Sequence, residues 1–162
     1  MGLRQPWPAS FQRGLAFSLY AVVAALVMAS PLTRYSDRRG RIGPLGVGLL
    51  LVGLGLLTLA LGLARSLLAL GMVAFGLGFG LLFPSASALV VEATEPVERG
   101  SAFGLFYALY SVGVILGAIL SGYLAEWAGT ASTLPFLLSG LLAAAAGAAI
   151  LLRTLPGARG TG

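Results

Sequence analysis

Four guanidinium groups and one carboxylate fall within the stretch Leu32 to Ile42, LTRYSDRRGRI: Arg34, Arg38, Arg39 and Arg41, with Asp37. Charge at this density in so short a stretch sets where flanking apolar helices stop and which side of a membrane they face. A second charged group, Glu92, Glu95, Glu98 and Arg99, lies in VEATEPVER. The remaining polar chemistry is hydroxyl chemistry inside apolar runs. Ser18 and Tyr20 form one such group, Ser85 and Ser87 directly after Pro84 a second, and Tyr107, Tyr110 and Ser111 a third. These hydroxyls are candidates for lining a polar cavity. The competing reading is that the tyrosines sit at a membrane interface or satisfy one another between helices.

Several chemistries are excluded by what is missing. The chain has no cysteine and no histidine, so thiolate metal sites, disulfides and the usual proton-transfer base near neutral pH are all absent. No nucleophile–base pair and no phosphate loop occurs, and the glycines of GFGLLF lie in an apolar helix rather than between a strand and a helix. No catalytic residue, metal or cofactor is therefore assigned. No carboxylate, lysine or arginine lies inside an apolar span, so this chain supplies no intramembrane proton site. The net charge of +5 comes from arginines clustered in turns, not spread along a polar face, which argues against nucleic acid as a partner.

The elements that position these groups are membrane helices. Of 162 residues, 58% are hydrophobic and 9% charged, with 24 glycines; the mean hydropathy is +0.97. A soluble domain of this length needs several times more charged surface. Residues 1–13 form a polar lead with Pro6 and Pro8 around Trp7. Four further spans follow the first and no small-residue cleavage site precedes a soluble chain, so the lead is not a signal peptide. The apolar runs are 14–32, about 42–64, 67–91, 102–125 and 134–152, each of 19 to 25 residues and long enough to cross about 30 Å of hydrocarbon. Residues 153–162 form a short tail.

An odd number of spans places the termini on opposite sides. Arg34, Arg38, Arg39, Arg41, Arg99, Arg153 and Arg159 fall on one side, against Arg4, Arg13 and Arg65 on the other. The positive-inside bias then puts the arginine-rich loop and the C-terminus in the cytoplasm and the N-terminus outside. Arg4 and Arg13 oppose that placement, a conflict that a further helix ahead of residue 14 removes. The bilayer itself is the first partner.

Glycine recurs at four-residue spacing. Gly76, Gly80 and Pro84 share one face of the third span, and Gly113, Gly117 and Ser121 share one of the fourth, with Gly100, Gly104 and Ala108 ahead of them. Such rows let helix backbones approach closely. They serve ordinary packing on one reading, and faces that slide or rock during a transport cycle on the other. Pro84 removes a backbone hydrogen bond within the third span, and the freed carbonyl must face protein or water.

The charged loop and the spans after it resemble the major facilitator superfamily. TRYSDRRGR is similar to the signature loop that joins the second and third helices of a half and recurs in weakened form between the eighth and ninth. Asp37, Arg38, Gly40 and Arg41 match, whereas Thr33 stands where a glycine belongs and Ile42 where a basic residue belongs. Both departures suit the weaker second copy. The stretch from Gly78 to Gly129 resembles the tenth and eleventh helices of sugar- and drug-efflux-like members, with Pro96, Glu98, Arg99, Gly100 and Ala102 in the expected loop and helix start. Gly117-Ala118 stands where the first half carries a Gly-Pro pair, which again points to the second half.

Over residues 11–153 the resemblance implies an all-α polytopic membrane protein, a partial fold of about five of a carrier's twelve helices, corresponding to helices eight to twelve. It implies that Gly40 permits a sharp turn, that the arginines hold the loop in the cytoplasm, and that Asp37 faces a helix N-terminus in the opposite half. Glu98, Arg99 and Gly100 belong to the same cytoplasmic gating surface. It further implies alternating-access transport of a small organic solute across the cytoplasmic membrane, with the solute held between two halves. The first and fourth spans face the half that holds helices one to seven, or a second copy in its place; the third lines the cavity, and the second and fifth are outer supports. The alternative is a non-transporting membrane scaffold or assembly partner.

Overall fold

The computed structural model describes residues 9–30, 40–61, 65–129 and 133–154. They form five helices: α1 Ala9–Ala29, α2 Ile42–Ala60, α3 Arg65–Glu92, α4 Arg99–Trp127 and α5 Leu134–Thr154. No strand occurs among the described residues. Four stretches are long and apolar enough to cross a membrane, Ile42–Ala60, Leu67–Glu92, Arg99–Trp127 and Leu134–Thr154, while the apolar part of α1 covers Gly14–Ala29. Pro31 and Leu32, which complete the first run in the sequence, lie outside the described residues.

Around the polar loop the helices run past their apolar runs. Helix α3 continues to Glu92 and α4 begins at Arg99, which shortens the polar loop to 93–98. Thr94 Oγ1 donates to the Val90 carbonyl at 2.7 Å and closes the α3 end. The Glu98 amide donates to the Glu95 carbonyl at 3.0 Å, and the Ala102 amide then donates to the Glu98 carbonyl at 3.0 Å, so the loop turns directly into α4.

Helix α2 holds the bundle together, packed between α3 and α5, with α1 on the other flank of α3. Glycines at seven-residue spacing make these contacts. Gly48 and Gly55 meet α3, where an added Cβ would lie 2.8 Å from the Gly78 carbonyl oxygen and 2.7 Å from that of Gly71. Gly46 and Gly53 turn to α5, where the same atom would lie 2.9 Å from Leu151 Cγ and 2.6 Å from the Ala144 amide nitrogen. Gly147 and Gly140 answer from the α5 side, against the carbonyls of Gly46 and Gly53 at 2.7 and 3.0 Å. In both pairs the numbering rises on one helix as it falls on the other, so α2 runs antiparallel to α3 and α5. With no hydrophobic effect to drive helices together in lipid, such backbone-to-backbone approach supplies the van der Waals contact instead. For the whole carrier the resemblance makes the second and fifth spans outer supports. Within the described residues, α2 is the helix most enclosed by others.

Helix α4 is the opposite case. None of its residues is buried, and Leu105, Leu109, Ile119, Leu120 and Tyr123 are all exposed.

Candidate functional site

The charged end of the bundle is built on α2 and α3. Gly40 takes φ +95°, a left-handed conformation that only a residue without Cβ adopts at no steric cost. The turn it makes presents Arg41 at the start of α2. Arg41 Nε lies 2.9 Å from Glu92 Oε1 at the end of α3. That nitrogen is closed off from water, and the contact is a charge pair rather than an aligned hydrogen bond. Sequence reading placed Arg41 and Glu92 in two separate loops and missed their pairing. Asp37 and Arg38 of the signature loop, with Arg34 and Arg39, lie outside the described residues. Glu98, Arg99 and Gly100 are exposed where α4 begins.

A chain of aromatic rings crosses three helices. Tyr20 of α1 packs on Phe75 and Phe79 of α3, with ring centroids 5.1 and 5.9 Å apart. Phe79 stacks on Phe83 at 5.7 Å. Phe83 then meets three rings of α4: Phe106 at 6.3 Å, Tyr107 at 6.4 Å and Tyr110 at 6.3 Å. Phe103 completes the group against Phe106 and Tyr107 at 6.5 and 6.2 Å. These are distances at which tilted and edge-to-face pairs attract. The structure thus joins Tyr20 to Tyr107 and Tyr110, which the sequence sets apart as two hydroxyl groups, through phenylalanines that sequence reading passed over. Their signal was present: Phe75, Phe79 and Phe83 recur every fourth residue, a spacing that stacks side chains along one helix face.

The other polar candidates divide. Tyr107 and Tyr110 are each 47% exposed, and Ser111 is exposed beside them. Ser85 is 6% exposed, the one buried polar side chain among the described residues. It does not stand on the ring face. Two positions turn a helix by about 200°, so Ser85 points away from Phe83 and extends the row Gly71, Gly78, Ser85 that faces α2. Ser87 is half-buried. Pro84 leaves the Gly80 carbonyl without its helical N–H partner, although α3 continues unbroken through it.

The glycine candidates divide too. Gly76 and Gly80 face α1, where an added Cβ would lie 2.8 Å from the Tyr20 carbonyl oxygen and 2.7 Å from Val27 Cβ. Gly113 and Gly117 meet nothing within 4 Å, and neither do Gly100 and Gly104. No helix of the described structure packs on them, so any packing they serve involves another surface.

Apolar helices of membrane-spanning length and a glycine-sewn bundle with an arginine–carboxylate pair at its polar end define an integral membrane protein. The profile of the Major Facilitator Superfamily matches residues 9–161, and the chain belongs to that superfamily, with a partial form of its all-helical fold. No curated protein and no solved structure matches the chain. Members of the superfamily are membrane transporters rather than enzymes, and among the described residues no group of His, Cys, Asp or Glu could hold a metal ion.

Proposed function

We propose that this chain forms part of an alternating-access carrier for a small organic solute, of the sugar- or drug-efflux-like kind, and that a second helical unit completes the path. The observation that carries the reading is α4: 29 residues long, with no residue buried, and with the exposed hydroxyls of Tyr107, Tyr110 and Ser111 on it. A helix that presents apolar and hydroxyl groups together suits a surface shared between a second half and a solute cavity. The arginine-rich loop and the C-terminus face the cytoplasm on this reading, with the cytoplasmic membrane as the site of action.

Uptake and efflux of radiolabelled hexoses and of a panel of aromatic drugs are measured in cells producing the chain alone, and in cells also producing, as a separate polypeptide, the N-terminal half of a carrier of this superfamily. Flux only in the second set is expected. Flux by the purified monomeric chain in proteoliposomes would overturn the need for a second unit. Stable assembly with that half but no flux of any solute would replace the carrier with a scaffold. Sidedness is read separately, because the chain has no cysteine: a single cysteine at Arg39 should react with an impermeant maleimide only from the cytoplasmic face.

A further inference from the structure

We propose that a stripe of large apolar side chains on α4, ending in Tyr123 and Trp127, is a lipid-binding surface whose aromatic end docks at the polar boundary of one leaflet. It lies on the far side of α4 from the hydroxyls that carry the transport reading, and it stands without them.

Leu105, Leu109, Val112, Leu116, Ile119 and Tyr123 recur in alternating steps of four and three residues, and Trp127 follows one turn later. That spacing sets them on one stripe along the helix. Each is more than half exposed, Tyr123 at 69% and Trp127 at 77%. At about 100° per residue, Leu116 stands opposite Tyr107, and Tyr123 and Trp127 stand about 160° from it on either side. Tyr107 meets Phe83 of α3 and so marks the packed side of α4. The stripe is the opposite side.

What covers the stripe follows from its residue types. The close approaches of α2 to α3 and α5, and of α1 to α3, run over glycines. None of the five glycines of α4 stands on the stripe. Helices in a bilayer gain most from packing small residues, because acyl chains are as apolar as leucine and already surround large side chains well. A row of large apolar side chains with no small one among them suits acyl chains better than a second helix.

The aromatic end sets the depth. From Arg99 to Trp127 the helix has 29 residues, a length of about 43 Å against about 40–45 Å for a bilayer with its polar boundaries. No charge intervenes between Arg99 and Glu126. Tyr123 and Trp127 bracket Glu126, where the apolar run ends. Each joins an apolar ring to one polar tip, the chemistry of the zone between acyl chains and headgroups. Helices α2, α3 and α5 carry no tyrosine or tryptophan, and they are seated by packing on other helices. Helix α4, with no residue buried, takes its depth from lipid.

The whole chain in lipid nanodiscs provides two tests. Trp7→Phe leaves Trp127 as the one tryptophan. Lipids brominated near the headgroup should quench its fluorescence about twofold more than lipids brominated near the chain end, and aqueous iodide should quench it little. Any other order overturns the anchor. Leu116→Cys takes a nitroxide, since the chain has no cysteine of its own. Its relaxation should respond to oxygen and not to a water-soluble nickel chelate, in the chain alone and with the N-terminal half of a carrier of this superfamily added. A label shielded from both reagents overturns the proposal, and disulfide-linked dimers of unlabelled L116C would then name a second copy as the occupant. A response to the nickel chelate puts the stripe against water and overturns it too. A nitroxide on Ser111→Cys reads the carrier surface separately: it should lose oxygen access only when the added half binds. If it keeps that access, the second-half reading fails while the lipid stripe stands.

Discussion

Arg41 and Glu92 form an ion pair at 2.9 Å that closes the same seam at which Gly48 meets Gly78. On α2 the seam runs through Gly55, Gly48 and Arg41, and on α3 through Gly71, Gly78, Ser85 and Glu92, each row advancing by seven residues. Gly55 stands against Gly71 and Gly48 against Gly78. By the same register Arg41 comes level with Ser85, and its long side chain reaches on to Glu92. A seven-residue repeat keeps two helices in contact over many turns when they cross at a shallow angle. The Arg41–Glu92 pair is thus the polar end of an apolar seam.

The seam predicts a sharp contrast among glycines. Replacing Gly48 by Leu forces side-chain atoms into the backbone of α3, and should cost about 2–3 kcal/mol or prevent assembly. Gly113→Ala meets nothing within 4 Å and should stay within about 1 kcal/mol of wild type. Unfolding in mixed micelles measures both. Equal tolerance at the two positions would show that the seam is not formed.

For the ion pair, the expected effect is small and specific. Glu92 is 53% exposed, and pairs exposed to water are worth about 0.2–1 kcal/mol. Arg41→Gln and Glu92→Gln should each lower stability by about that amount, the double variant no further than the worse single one. The coupling should shrink as salt rises from about 0.01 to 0.5 M, because the Debye length falls from about 30 Å to a few Å. Additive single effects, read from a double-mutant cycle at low salt, would break the link between the two residues.

How far the sequence discloses this molecule depends on the signal each contact leaves. The number of apolar helices is legible because twenty apolar residues in a row have few other uses. The pairing of Gly48 with Gly78 is not. Glycine is so frequent here that rows at four-residue spacing, such as Gly113 and Gly117, look as good as the seven-residue rows that meet. Only the approach of a second helix separates them. Ser85 is misleading for a related reason: its neighbour Pro84 and its hydroxyl suggest a cavity, while its heptad places it on the α2 seam. The ring chain was half visible, since the tyrosines drew notice as polar groups, whereas the phenylalanines that join them passed as ordinary apolar bulk.

Pro84 offers a test of local order in α3. With alanine in its place, an N–H becomes available to the Gly80 carbonyl, and the helix regains the bond that proline denies it. Pro84→Ala should slow amide hydrogen exchange across residues 80–88 and raise stability by about 1 kcal/mol. It should also reduce any flux that depends on α3 bending at this point. Unchanged exchange would mean that the neighbouring helices already hold this segment rigid.

The last prediction concerns how α4 is held. Among ring contacts between α3 and α4, all three pass through Phe83, which meets Phe106, Tyr107 and Tyr110. No glycine of α4 makes a close approach to another helix, so nothing like the α2 seam backs these rings up. Phe83→Ala removes the shared ring and should cost about 2–3 kcal/mol if α4 unfolds with the bundle. If this junction is what ties α4 to α3, beside its sparse contact with α5, global stability should change little, and spin labels at Val90 and Gly117 should report a broader distance distribution instead. The second result is expected, because the glycine contacts of α2, α3 and α5 do not involve α4. Phe83→Trp keeps a ring at the junction and should retain the narrow distribution. A narrow distribution in F83A as well would show that α4 is fixed by something other than this aromatic junction.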